Sequence, residues 1–151
     1  MSNVNPIPAG YHSITPYLYI KNASVAIDFY KKVFDAKEKY RMENEGKIGH
    51  AELEIGNSVI MLADEHPDMG ALSPKSIGGT PLSLMLYVKD VDSVVNAAVS
   101  EGAKLQRPVE NKFYGDRTGS IEDPFGHVWH VATHIEDVSP EEMEKRMAEA
   151  K

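Results

Sequence analysis

His50 and Glu52 are the residues of this 151-residue chain most directly suited to moving a proton. They lie in the run Ile48 to Ile55, where Ala51, Leu53 and Ile55 alternate with His50, Glu52 and Glu54, the period of a half-buried strand. Residues i and i+2 of a strand share a face. The imidazole and carboxylate could therefore act as an acid and base pair, or as two ligands of a metal. His130 is the third candidate. His134 follows it at i+4 on a strand that ends at Ile135, so His134 reads as a rim residue. Any metal at these groups would be held by His130 together with His50 and Glu52. Tyr114 and Arg117 flank the Gly115 turn, and the guanidinium fork of Arg117 suits an anionic group such as a carboxylate or phosphonate. Against that stands a local pairing of Arg117 with Asp116 or a salt bridge to the other module.

Composition removes other chemistries. The chain has no cysteine, which excludes a disulfide framework, a thiolate zinc site, an iron–sulfur cluster and a cysteine nucleophile. The net charge is −7 and no basic run exceeds Lys31-Lys32, so nucleic acid is not an expected partner. Gly78-Gly79 lacks the lysine and the strand–helix setting of a phosphate loop. No apolar run approaches the roughly 18 residues of a membrane span, and Met1 to Tyr11 has neither the basic nor the apolar region of a signal peptide. The expectation is a cytoplasmic protein with no membrane partner.

The elements that must position these residues follow from periodicity. His12 to Ile20 reads as a strand. Asn22 reads as the cap of a helix whose apolar face is Val25, Ala26, Phe29, Tyr30 and Val33. Lys37 to Met42, Ile48 to Ile55 and Ser58 to Ala63 read as three further strands, the last two joined by a tight Gly56-Asn57 turn. His66 to Thr80 has no period and reads as a linker. The order then repeats. Leu82 to Val88 alternates, Asp90 caps a helix bearing Val91, Val94, Val95 and Ala98, and strands follow at Lys104 to Val109, Asp116 to Glu122 and His127 to Ile135. Ser139-Pro140-Glu141-Glu142 opens a last helix.

Tyr17-Leu18-Tyr19-Ile20-Lys21 also aligns with Met85-Leu86-Tyr87-Val88-Lys89, keeping Leu, Tyr and Lys. The chain thus reads as a duplication within one domain spanning 1–151. Module 1 covers about 12–65, the linker about 66–80, module 2 about 81–136 and the C-terminal helix about 139–150.

The opening Tyr17-Leu-Tyr-Ile-Lys-Asn-Ala-Ser-Val-Ala-Ile-Asp-Phe-Tyr30, together with His50-Ala-Glu-Leu53, Phe113-Tyr-Gly-Asp-Arg117 and Asp123-Pro-Phe-Gly-His127, resembles the vicinal oxygen chelate superfamily. That superfamily includes glyoxalase I, bleomycin-resistance proteins and extradiol dioxygenases, and the resemblance is greatest to its PhnB-like bacterial branch. It implies an α+β fold of two tandem βαβββ modules, with a cupped mixed sheet, helices on the outer face and a C-terminal helix. It also implies a homodimer, and a metal held from the first and last strand of each module. The positions matching those ligands are Thr15, Met61, Ser83 and His130, of which only His130 is a good donor, so the usual metal site is not encoded.

If the apolar face of each strand covers the helices, the other face carries Thr15, Tyr17, Tyr19, His50, Glu52, Met61, Ser83, Met85, Tyr87 and His130. Such a mixture of aromatic and polar groups suits a small-molecule pocket. The functional expectation is a small-molecule-binding protein without the usual metal, its ligand-binding residues being Thr15, Tyr17, Met61, Ser83, Met85, Tyr114 and Arg117. The alternatives are a divalent-metal-dependent lyase, isomerase or dioxygenase, and a metal-free acid/base enzyme using His130, His50 and Glu52. Whether the chain is an enzyme stays open at this stage.

Overall fold

A computed structural model of the chain describes residues 3–150. They divide into two compact units, one ending at Gly79 and the other beginning at Thr80. The first unit runs β1 (Tyr17–Ile20), α1 (Ala23–Phe34), β2 (Lys37–Asn44), β3 (Lys47–Ile55), β4 (Ser58–Asp64), a 3₁₀ turn at Pro67–Met69, and the single-turn α2 (Pro74–Ile77). The second runs β5 (Ser83–Tyr87), α3 (Val91–Ser100), β6 (Lys104–Asn111), β7 (Asp116–Glu122), β8 (Val128–His134) and α4 (Pro140–Glu149). Each unit folds its strands into one four-stranded mixed sheet. The orders are β1-β4-β3-β2 and β5-β8-β7-β6, with the first pair of each parallel and the rest antiparallel. The chain is therefore two tandem βαβββ modules followed by a helix, an α+β fold.

Each sheet is two-sided because its strands alternate. In the first, Leu18, Ile20, Ala51, Leu53, Ile55, Ile60 and Leu62 are all buried on the side that α1 covers. Helix α1 meets them with Ala23, Ala26, Ile27, Tyr30, Val33 and Phe34, a stripe at helical spacing whose Tyr30 and Phe34 rings stack 5.8 Å apart. Val25, expected on that stripe, is exposed. In the second unit Val91, Val95 and Ala98 of α3 are buried, as are Ile121, Trp129 and Val131 of the sheet. Trp129 also donates its indole N–H to the buried Asp123 carboxylate at 2.9 Å. That carboxylate accepts the Phe125 and His127 N–H groups as well, fixing the Asp123-Pro124-Phe125-Gly126 turn.

Three local readings of the sequence are corrected. The first strand begins at Tyr17 rather than His12, since Pro16 has no N–H to give a ladder. The linker is not featureless. It carries the 3₁₀ turn and α2, tied down by the Glu65 carboxylate, which accepts the Ser73 N–H at 3.0 Å and the Ser76 hydroxyl at 2.9 Å. Asn22 does not cap α1 with its side chain. Its backbone is left-handed, at φ 76°, and the acceptor comes from the end of β4. Asp64 Oδ1 accepts the N–H groups of Asn22 and Ala23 at 3.1 and 2.9 Å, while its Oδ2 accepts the Ile48 N–H at 2.7 Å. An anion at a helix N-terminus satisfies donors that have no partner within the helix and complements the helix dipole.

The second module puts a hydroxyl in the corresponding place. Thr133 Oγ1, near the end of β8, accepts the Val91 N–H at 2.9 Å and donates to the Val88 carbonyl at 2.9 Å. Asp64→Ala should therefore cost about 2–3 kcal/mol of stability, since it strips acceptors from three backbone N–H groups at once. Urea unfolding should show this as a lower midpoint, with Asp64→Asn recovering part of the loss.

Candidate functional site

The face of the first sheet opposite α1 is built from β1, β3 and β4. Strand register places Tyr17 beside Met61, and Met61 beside Glu52, so the three form one row across the sheet. His50 lies two residues along from Glu52 on the same face, and each of its ring nitrogens has a partner. Nε2 is 2.8 Å from Glu52 Oε2, and Nδ1 is 2.8 Å from the Tyr17 hydroxyl. A carboxylate can only accept, so Nε2 carries the hydrogen, and a neutral ring then accepts the Tyr17 O–H at Nδ1. The other carboxylate oxygen, Glu52 Oε1, accepts the hydroxyl of Tyr11 from the segment before β1. Lys39 Nζ lies 4.6 Å over the Tyr11 ring. The result is one chain of hydrogen bonds, Tyr11 to Glu52 to His50 to Tyr17.

Its electrostatics follow from the same bonds. The Tyr11 hydroxyl, and after it the His50 ring, hold the Glu52 carboxyl below the ordinary glutamate range. The bond to that carboxylate pushes the Tyr11 phenol up. Burial pushes the Tyr17 phenol up, with Tyr19 and Glu52 adding to it, so Tyr17 stays a neutral donor at neutral pH. Its ring lies 5.3 Å from Tyr19 and 5.5 Å from His50. A cleft of about 760 Å³ opens beside Tyr17 and Tyr19 and is also lined by Ile48, Ala63, Met69 and Ala71, with the β2–β3 turn on its border. That volume is within the range of small-molecule pockets.

In the second unit, register aligns Met85 with His130 and His130 with Ser120, the row that answers Tyr17, Met61 and Glu52. Ser120 Oγ is 2.6 Å from His130 Nδ1. Ser83 begins β5, exposed and in register with Val128. Thr15 falls outside the strand and gives its hydroxyl to the His12 carbonyl at 3.3 Å. Tyr114 packs edge-on against Phe113 at 5.3 Å in the β6–β7 connection. Arg117 turns to the helical side of β7. There its Nε and one terminal nitrogen donate to the two carboxylate oxygens of Asp92 at 2.8 and 2.9 Å, and the other donates to Asn111 at 2.9 Å. Its fork is committed to α3 and not to Asp116, because strand alternation sends Asp116 and Arg117 to opposite faces.

Two features escaped the sequence reading. One is Tyr11, which lies in a segment without periodicity. The other is a second cluster around Asp116, which accepts the Tyr87 hydroxyl at 2.9 Å and faces His134 Nδ1 at 2.7 Å, while His134 Nε2 faces Asp137 at 2.7 Å. The shared parity of Asp116, His134 and Tyr87 was the available signal.

The metal donor set is poor. Of Thr15, Met61, Ser83 and His130, only the last supplies a strong ligand, and its Nδ1 is taken by Ser120. Among the described residues no group of three or more His, Asp or Glu side chains is arranged to hold a metal ion. The residues present do not fit the metal centre that the resemblance implies. Nor is any helix among the described residues long and apolar enough to cross a membrane.

Comparison with known proteins agrees with the topology. The family model described as the Glyoxalase/Bleomycin resistance protein/Dioxygenase superfamily matches residues 10–131. The protein Mb0911c of Mycobacterium bovis, described as uncharacterized, is 38% identical over 140 residues, which cover 90% of this chain and 92% of that one. Among solved structures, the fosfomycin resistance protein FosX of Listeria monocytogenes, complexed with Mn(II) and sulfate, is similar with a TM-score of 0.64 at 16% identity. The match covers 90% of this chain and 97% of that chain. A PhnB protein from Bacillus cereus is similar with a TM-score of 0.62 at 18% identity, covering 81% and 99%.

The His134 cluster gives a pH prediction. Its two carboxylate neighbours, Asp137 first and Asp116 second, raise the imidazole pKa above the unfolded value. The stability it contributes is then complete below the ordinary histidine pKa of about 6.5 and is lost as pH rises through the folded value. Thermal unfolding between pH 5.5 and 8.5 should show stability falling across that window, and the fall should be shallower in His134→Asn.

Proposed function

Since the chain belongs to the Glyoxalase/Bleomycin resistance protein/Dioxygenase superfamily, we propose that it is a small-molecule-binding protein of that superfamily, holding its ligand on the open sheet faces without the usual metal. The observation that carries this reading is the pairing of His50, whose two ring nitrogens are both bonded, to Glu52 and Tyr17 beside an aromatic cleft. An imidazole committed in this way presents no lone pair to a metal, whereas the tyrosine rings and Met61 offer apolar and polarisable surface. On this reading Tyr17 and Met61 contact the ligand in the first module, and Ser83, Met85 and Tyr114 do so in the second. Thr15 borders the first group. Arg117 acts through Asp92 rather than on the ligand. The two modules and the C-terminal helix form one domain, the protein works as a cytoplasmic homodimer, and it belongs to the PhnB-like branch, in keeping with the similar Bacillus cereus structure.

A second reading has its own observation. The Tyr11–Glu52–His50–Tyr17 chain has the order of a carboxylate that orients an imidazole, which in turn accepts from a hydroxyl, the arrangement of an acid/base relay. On that reading His50 is the base, Glu52 orients it, and His130, bonded to Ser120, is a second proton carrier.

Elemental mass spectrometry of natively purified protein, followed by calorimetric titration with Zn²⁺, Ni²⁺ and Mn²⁺, tests the first reading. The expected result is well under one equivalent of bound metal and no saturable heat. Stoichiometric metal that is lost in His130→Ala would overturn the reading. A ligand found by thermal-shift screening should bind at least tenfold more weakly to Tyr17→Ala, a loss typical of removing a buried aromatic contact. Turnover of that ligand with a bell-shaped pH profile, abolished in His50→Ala, would favour the relay instead.

A further inference from the structure

We infer that the cleft of the first module selects organic cations, flat amphipathic molecules bearing a quaternary or protonated nitrogen; this rests on the small-molecule-binding reading and names its ligand class. The cleft combines two tyrosine rings with a charge balance of one sign. Tyr17 and Tyr19, each 40% exposed, present tilted rings with centroids 5.3 Å apart. The face of a phenol ring is the negative end of its quadrupole and attracts a cation within about 6 Å. Met69, which is 79% exposed on the same cleft, adds a polarisable thioether that packs well against a flat ring.

The ionisable groups lining the cleft are Glu45, Asp64 and Glu65 against Lys47 and His66. Even a protonated His66 leaves the balance negative. Two of the carboxylates are fixed in place by neutral donors, with Asp64 at the positive end of the α1 dipole and Lys21 near enough to act on Glu65. Asp64 accepts three backbone N–H groups, and Glu65 accepts the Ser73 N–H and the Ser76 hydroxyl. Those two bonds hold the Glu65 carboxyl below its ordinary range. An anionic ligand would meet these charges and the negative ring faces together. A cation meets attraction from both, opposed at Lys47 and His66 in the lining and by Lys21 near Glu65.

The test is an NMR titration of the full-length protein with three bicyclic probes of similar shape: N-methylquinolinium, uncharged quinoline at pH 8, and naphthalene-2-sulfonate. Backbone amides of Gly49 and Ala71, which line the cleft, are the reporters. N-methylquinolinium should shift them saturably and bind about three- to tenfold more tightly than quinoline, with the sulfonate weakest. Lys47→Gln should widen the preference for the cation, Glu45→Gln should narrow it, and Tyr19→Ala should weaken the cation most. These side chains are exposed, and the amide spectra will report whether each variant is folded. If the sulfonate shifts the same amides as tightly as the cation, the cation class is overturned while the ligand-binding reading stands. If none of the probes moves Gly49 or Ala71, the cleft is not the site.

Discussion

The carboxylate of Asp64 decides which side of the first sheet is covered and which is open. Standing at the end of β4, it takes the N–H groups of Asn22 and Ala23 at the start of α1 and that of Ile48 at the start of β3. One side chain thereby joins the helix, the last strand and the turn-proximal end of β3. Once α1 is anchored there, its apolar stripe must lie on Leu18, Leu53 and Leu62, and the alternate residues Tyr17, His50, Glu52 and Met61 are left on the other face. Thr133 performs the corresponding task for α3 with a hydroxyl. The two modules share a topology and a capping position while differing in the group that fills it.

The open face of the first sheet carries polar groups that bond chiefly to one another. Tyr11, Glu52, His50 and Tyr17 satisfy one another, so the polar atoms that would otherwise seek a ligand or metal are internally spent. What remains for a ligand is ring surface, a thioether and the charge of the cleft. In the second module His130 is bonded to Ser120 through Nδ1, and Asp116 to Tyr87 and His134.

Much of this was legible in the sequence, and the failures have physical causes. Period-two alternation from Ala51 to Ile55 correctly put His50 and Glu52 on one face, and the repeated order of elements revealed the duplication. Alternation alone would have given Ile48 the half-open setting of His50, yet Ile48 is buried. The register shift between Met42 and Glu43 makes Gly49 an extra residue, a bulge that interrupts the alternation there. The capping of α1 could not be read locally, because its acceptor is 41 residues away from Ala23. Tyr11 gave no signal, since a segment without periodicity announces no contact. The place of Arg117 beside a turn suggests a ligand-facing side chain, whereas its strand parity, opposite to that of Asp116, directs it to Asp92.

The central claim is that His50 is committed to Glu52 and Tyr17 and is not held in reserve for a metal. Nitrogen-15 NMR of the histidine rings tests it directly. His50 should carry its hydrogen on Nε2, that state should weaken in Tyr17→Phe and Glu52→Gln, and added Zn²⁺ should leave the ring nitrogens unmoved. A His50 ring nitrogen that shifts to a metal-bound position on stoichiometric Zn²⁺ would contradict it.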